Sequence, residues 1–154
     1  MSEATPNPKF IVDHMLGSLA RWLRMMGYDT IYDKSFEDAD IAKVARAESR
    51  FIITRDKELS KEPGALLLED MDLDAQLKAI ATKFGLMFHE NLIRCSTCNG
   101  ELVDLPKDQA KGKVPEGAHA VNEKFWKCSK CEKVYWKGTH WIGINERLRK
   151  LGLA

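Results

Sequence analysis

The sequence predicts an α/β domain with a mainly parallel sheet, followed by a small zinc module. Three observations carry this expectation. Short β-favouring runs alternate with amphipathic helical stretches between residues 10 and 85, the pattern of βαβ units. From residue 95 onward the periodic apolar helices give way to cysteines, glycines, lysines and aromatics. The four cysteines of the chain stand as two C-x-x-C pairs.

The elements follow in order. Phe10-Ile11-Val12 is a short apolar strand ending on Asp13. Leu16, Leu19, Ala20, Leu23 and Met26 then recur at spacings of three and four, the stripe of a helix, and Gly27 stands where a C-terminal glycine stops one. Thr30-Ile31-Tyr32 reads as a second strand. Asp38 or Asp40 starts a second helix whose stripe is Ile41, Val44 and Ala45. Phe51 to Thr54 is a third strand, Pro63-Gly64 a turn, and Ala65 to Leu68 a fourth strand. Asp70 or Asp72 opens a third helix with Leu73, Leu77, Ile80, Ala81 and Phe84 on one face, closed by Gly85. The polar, Gly/Pro-punctuated stretch 106–124 is expected to be a long mobile loop.

Composition excludes several classes. With 154 residues, 44% apolar and 31% charged, the chain is an ordinary globular protein of one domain plus a module. No apolar run is long enough to span a membrane. The polar lead MSEATPNPK lacks a secretory pattern, so residues 1–8 are expected to be disordered and the location cytoplasmic. The formal net charge of +1 hides an asymmetry: residues 1–90 carry 12 basic against 16 acidic side chains, and residues 91–154 carry 12 against 7. A basic second part suits a polyanionic partner, and equally a solvated face.

The acids carry the chemistry. In open α/β sheets ligands bind beyond the carboxyl ends of the strands. Asp13 and Asp56 each lie just past such an end, and Asp40 and Asp38 stand at the helix start after the second strand. Crowded carboxylates repel unless a cation sits among them. Oxygen ligands of this kind suit Mg²⁺ or Mn²⁺, and a pair of such ions about 4 Å apart activates water for phosphodiester cleavage. Asp13, Asp40 and Asp56 are therefore the candidate catalytic acids, with Asp38 and Asp72 as candidate extra ligands. Each Asp is equally suited to capping a helix or turn. Arg21 and Arg24, a turn apart on the first helix, could hold phosphate oxygens, with Trp22 stacking on a base; a solvated helix face explains them as well.

Cys95, Cys98, Cys128 and Cys131 form C-S-T-C and C-S-K-C, separated by 29 residues. Two such knuckles present four thiolates to one tetrahedral Zn²⁺, a closed structural site. Lys137, His140 and Trp141, within Y-W-K-G-T-H-W, are candidate RNA contacts, since aromatics interleaved with basic residues stack single strands. The alternative is that these rings form the module's small core. His89 and Cys98 offer no convincing nucleophile pair, because zinc already claims the thiolate.

Four segments together carry a family likeness: 13-DHMLGSLARWLRMMGYDT-30, 40-DIAKVARAESRFIITRDKEL-59, 94-RCSTCNGEL-102 and 125-FWKCSKCEKVYWKGTHW-141. The chain resembles, from residue 9 to about 148, the PIN-like ribonuclease family first described at the C-terminus of the Mut-seven exonuclease. The resemblance implies a three-layer PIN-like α/β nuclease domain over 9–92, a zinc ribbon over 93–145 and a C-terminal tail over 146–154. It implies a metal-dependent endoribonuclease in which Asp13, Asp40 and Asp56 match the family acids; the usual fourth acid has no clear counterpart, and Asp72 is the nearest substitute. RNA is the implied partner, with ribosome or ribonucleoprotein association as an option. The alternatives are a non-catalytic RNA- or ribosome-binding module, a toxin-like nuclease and a ribbon-mediated scaffold. Whether Asp38 or Asp40 faces the metal, which RNA is cut, and the oligomeric state are left open by the sequence.

Overall fold

A computed structural model describes residues 7–69, 72–88 and 93–154. The first six residues of the expected disordered lead, the helix-start candidate Asp70, His89 and the expected domain boundary at 92 lie outside the described residues. The chain forms two compact units: residues 1–24 with 28–86, and residues 25–27 with 87–154.

The first unit is built on a four-stranded parallel sheet, in the order β2-β1-β3-β4. Strand β1 (Phe10–Val12) is central, and all three of its residues are at most 1% exposed. An unbroken apolar run is what a strand covered on both faces requires. It is followed by helix α1 (Gly17–Met25), β2 (Thr30–Ile31), helix α2 (Asp38–Glu48), β3 (Phe51–Thr54), β4 (Leu66–Leu67) and helix α3 (Leu73–Phe84). The registers Phe10↔Phe51, Ile11↔Ile52 and Val12↔Ile53 put like residues of β1 and β3 on the same face. Ile11 and Ile52 face Ile41 and Ala45 of α2. On the other face, Phe10 and Phe51 meet the ring of Phe84 in α3 at 5.1 and 4.8 Å. These two faces make three layers. Each fully buried Ile or Leu among them contributes about 1.5–3 kcal/mol.

Helix boundaries follow local chemistry. The stripe Leu16, Leu19, Ala20, Leu23, Met26 is buried throughout. Gly27 stops α1 with φ +97, and Tyr28 N–H donates to the Leu23 carbonyl across the reversal. Helix α2 opens on a capping box: the Glu37 side chain and the N3 residue Asp40 satisfy each other's backbone N–H groups. Asp72 caps α3 by accepting from Ala75 N–H at 2.8 Å, and Gly85 (φ +68) ends it.

The second unit carries a three-stranded antiparallel sheet, β5 (Leu102–Leu105), β6 (Phe125–Cys128) and β7 (Val134–Tyr135), with β6 in the middle. Two expectations change here. The 106–124 stretch is not a structureless loop. It holds two short helices, α4 (Lys107–Ala110) and α5 (Glu116–Val121). Pro106 and Pro115 stand at their N-caps, and Ala110 and Val114 fold back onto Leu105 and Phe125 in a small core. Residues 146–154 are not a free tail either. Helix α6 (Thr139–Lys150) runs through the expected boundary at 145, burying Trp141 and Leu148 on one face.

Candidate functional site

In the first unit the chain passes from β1 to β2 on one side, and β3 pairs with β1 on the other. The β1–β3 gap is the topological switch point, where the loops diverge and leave a crevice. Asp13 follows β1 and Asp56 follows β3 at that edge.

Asp13 is 3% exposed. A buried carboxylate must be hydrogen-bonded, and each of its oxygens is engaged. Thr54 Oγ1, fully buried at the end of β3, donates to Oδ2 at 2.8 Å. His14 Nδ1 lies 2.9 Å from Oδ1. The same Thr54 hydroxyl accepts from Asp56 N–H at 2.9 Å, so one side chain ties the two acidic loops together. Asp56 is exposed; its Oδ1 accepts from Glu58 and Leu59 N–H at 2.8 and 3.2 Å, which shapes the following turn.

The helix-start acids separate. Asp40 turns back on its own helix, accepting from Glu37 N–H at 3.0 Å. Asp38 faces the crevice. Partial desolvation, then the charges of Asp56 and Asp13, hold its carboxyl above the ordinary value, and His14 opposes them. Asp38 is solvent-exposed, so the two neighbouring carboxylates are the informative influence. Asp72 is occupied as a helix cap. The helix-start acid that feels the charges of Asp13 and Asp56 is Asp38, while Asp40, which the sequence favoured, has one oxygen engaged in its helix cap. The sequence signal was present: Asp40 occupies the N3 position of the capping box, from which a carboxylate reaches back to the helix start.

These carboxylates feel one another's charge, although among the described residues only the four cysteines bring three or more ligand atoms close enough together for one ion. The donors are carboxylate oxygens, and Asp38 is destabilised as an anion by its neighbours, a strain that a cation relieves. A cleft of about 600 Å³ opens beside Asp38, lined also by His14, Lys34, Ser35, Phe36 and Glu37.

Of the two arginines on α1, Arg21 is exposed. Arg24 is 5% exposed, and its Nε donates to the Thr30 carbonyl at 2.8 Å. It stitches the helix to β2 and is not presented to a phosphate. Its place four residues after the buried Ala20 already put it on the inward stripe.

In the second unit the four cysteine sulfurs lie within 4.8 Å of one another, the only such set of three or more ligand side chains among the described residues. Sγ atoms of Cys95 and Cys131 are 3.6 Å apart, and those of Cys98 and Cys128 3.4 Å. Zn–S bonds of about 2.3 Å fit this tetrahedral spacing. The two knuckles are built alike. Asn99 and Glu132, each following its second cysteine, take φ of +70 and +66 and donate N–H to the carbonyls of Cys95 and Cys128. Gly100 has no room for a side chain: a Cβ would sit 2.7 Å from Cys128 Sγ. Burial works to raise the Cys95 thiol, but the Tyr135 hydroxyl, 2.9 Å from its sulfur, and the N–H groups of Cys98 and Thr97 bring it down to about 6. Cys98 is pushed up to about 12, by burial first. Four thiols this close together are suited to a cation, which binds them as thiolates.

The aromatics divide between the two roles weighed for them. Trp141 is 7% exposed and packs on Phe88 at 5.4 Å between ring centroids. It is core and offers no face to a base. Lys137 Nζ lies over its ring at 5.3 Å and over that of the half-buried Trp126 at 5.9 Å. His140 is exposed, edge-on to Trp136.

Among the described residues no helix is long and apolar enough to cross a membrane. No curated protein matches the sequence. The family model described as the Mut7-C RNAse domain matches residues 8–148.

Proposed function

The chain belongs to the Mut7-C RNase domain family, a nuclease family, and on that premise we propose that it is a divalent-metal-dependent endoribonuclease of the PIN type. The observation that carries this reading is the convergence of Asp13, Asp56 and Asp38 on the switch point of the parallel sheet, with Thr54 locking the first two loops together. Asp13, Asp38 and Asp56 would draw together around Mg²⁺ or Mn²⁺. The bound ion would supply the charge stabilisation and the lowered water pKa that phosphodiester hydrolysis requires.

The protein's own groups do the rest. Thr54 and His14 fix the rotamer of the Asp13 carboxylate, so it is oriented before any ion or substrate arrives. Asp56 is held by its turn with Oδ1 engaged and Oδ2 without a hydrogen bond among the described residues. The exposed Arg21 is the helix arginine available to a phosphate. In the ribbon, held by Zn²⁺ on Cys95, Cys98, Cys128 and Cys131, Lys137 and the half-buried Trp126 would take an RNA strand by charge and stacking, with His140 at their side.

The test is cleavage of a labelled structured RNA with Mn²⁺, Mg²⁺ or EDTA, by the wild type, Asp13→Asn, Asp38→Asn and Asp56→Asn, each checked for zinc content and fold. Metal-dependent cutting that all three substitutions abolish, while Asp40→Asn leaves it intact, is the expected result. Equal background in all the proteins would refute the reading.

A further inference from the structure

His14 lines the cleft with a side chain whose Nδ1 orients Asp13 and whose Nε2 has no hydrogen bond among the described residues. It stands at the corner of the turn closed by Leu16 N–H on the Asp13 carbonyl. Its backbone is pinned: Tyr32 Oη donates to the His14 carbonyl at 2.7 Å. Tyr32 in turn lies against Gly17, where a Cβ would come within 3.0 Å of its hydroxyl. The ring is pinned too, through Nδ1 on Asp13 Oδ1 at 2.9 Å. The side chain is nevertheless 55% exposed and lines the cleft. One ring nitrogen is thus spent on the acid, and Nε2 is held out to whatever occupies the cleft, one imidazole's width from Asp13.

The chemistry of that nitrogen selects its partner. With Nδ1 on a carboxylate, Nε2 is a donor in the protonated ring and an acceptor in the neutral one, and a phosphate oxygen, itself only an acceptor, suits the first state alone. A hydroxyl both donates and accepts, so it pairs with Nε2 in either protonation state. The hydroxyl that a nucleic-acid backbone carries beside every phosphate is the ribose 2′-OH, the group that distinguishes RNA from DNA. We infer that His14 reads the ribose 2′-hydroxyl next to the scissile phosphate and so sets the preference of this site for RNA. The inference rests on the cleavage reading of the same crevice and adds the specificity that reading lacks.

The test uses the full chain with its zinc and a set of RNA oligonucleotides, each with one 2′-deoxy nucleotide near the mapped cut. For the wild type, one deoxy position should lower kcat/KM about tenfold, the worth of a single hydrogen bond. His14→Ala should lose about the same factor on all-ribose RNA and then be indifferent to that deoxy position. His14→Gln, whose amide reaches the place of Nε2, should recover part of the preference; His14→Asn, which reaches only the place of Nδ1, should not. A wild type indifferent to every deoxy position overturns the inference, as does a His14→Ala loss that is equal on ribose and deoxy substrates, which would mean that His14 serves Asp13 alone. Binding of matched RNA and DNA strands by the zinc-loaded chain, with no Mg²⁺ or Mn²⁺ added, separates the two readings. A wild type that cuts nothing but binds RNA more tightly, with the difference lost in His14→Ala, upholds the contact and removes the nuclease. Cutting with a strand preference untouched by His14→Ala upholds the nuclease and removes the contact.

Discussion

Replacing Thr54 by Val removes one oxygen and keeps the shape of the side chain. That oxygen donates to the buried Asp13 carboxylate at 2.8 Å and accepts from Asp56 N–H at 2.9 Å. Thr54 is 0% exposed and Asp13 3%, so water cannot replace the donor to Oδ2. A hydrogen bond to a charged group is worth about 1.5–3 kcal/mol. Asp56 is exposed, so its N–H can turn to solvent and adds little. The expected loss is about 2 kcal/mol. With a slope of about 1–3 kcal/mol per molar urea, the midpoint should fall by about 1 M. Urea unfolding should be followed at the transition that a zinc chelator leaves in place. Thr54→Ser, which keeps the hydroxyl, should stay closer to the wild type than Thr54→Val. A Thr54→Val midpoint within about 0.2 M of wild type would refute the claim that this hydroxyl binds the two acidic loops into one structure.

Arg24→Gln should destabilise the first unit by about 1–3 kcal/mol, because it loses a buried donor to the Thr30 carbonyl; Arg21→Gln should leave the melting temperature unchanged and weaken RNA binding in a salt-titration assay. Gly100→Ala forces a methyl against Cys128 Sγ and should lower zinc affinity at least about tenfold, measured by competition with a chromophoric chelator. Asp38→Asn carries a sign in pH. Asp38 is an acid whose folded pKa is raised by desolvation, Asp56 and Asp13, so the wild type loses stability as pH rises from its ordinary 3.8 through the higher folded value. Without divalent ions, Asp38→Asn should therefore be the more stable protein at neutral pH, with the advantage vanishing below about pH 4; a denaturation series across pH reads it directly. Unfolding curves that coincide at pH 7 would show that the three carboxylates do not interact.

Much of the first unit was legible because its signals are local. The stripe from Leu16 to Met26, the stop at Gly27 and the apolar run Phe51–Thr54 each need only neighbouring residues to be read. The position of Asp13 and Asp56 followed from a general property of parallel sheets. Legibility failed where direction mattered more than spacing. Asp38 and Asp40 differ by two residues, about 200° around a helix, and only the cap geometry decides which faces the crevice. The inward stripe carries Arg24 along with Ala20, but its charge suggests the surface. In the second unit, the helices of 106–124 are too short to show a period, and their burial depends on Leu105 and Phe125 from flanking strands. Trp141 looked like a stacking ring until helix α6 placed it, with Leu148, on a buried face. His14 gave no pattern at all, since its role depends on contacts made across the fold with Asp13 and Tyr32.

Arg50 adds a last consequence. Its buried guanidinium spans the amino ends of the sheet, with Nη1 on the Phe10 carbonyl at 3.1 Å and on Asp29 Oδ1 at 2.8 Å, and Nε on Glu48 at 3.0 Å. That edge carries its own cation and is electrically closed from within. At the opposite edge the described partners of Asp13 are a hydroxyl, an imidazole and a backbone N–H. The sheet is therefore asymmetric in what each end can tolerate. Neutralising Arg50 takes a cation from the half-buried Asp29 and the exposed Glu48 and a donor from the Phe10 carbonyl, and is a defect of folding, whereas neutralising the exposed Asp38 or Asp56 removes no buried contact. The two poles of the β-sheet therefore differ in kind: the charges at one are matched by a buried cation, and those at the other meet only neutral donors and one imidazole.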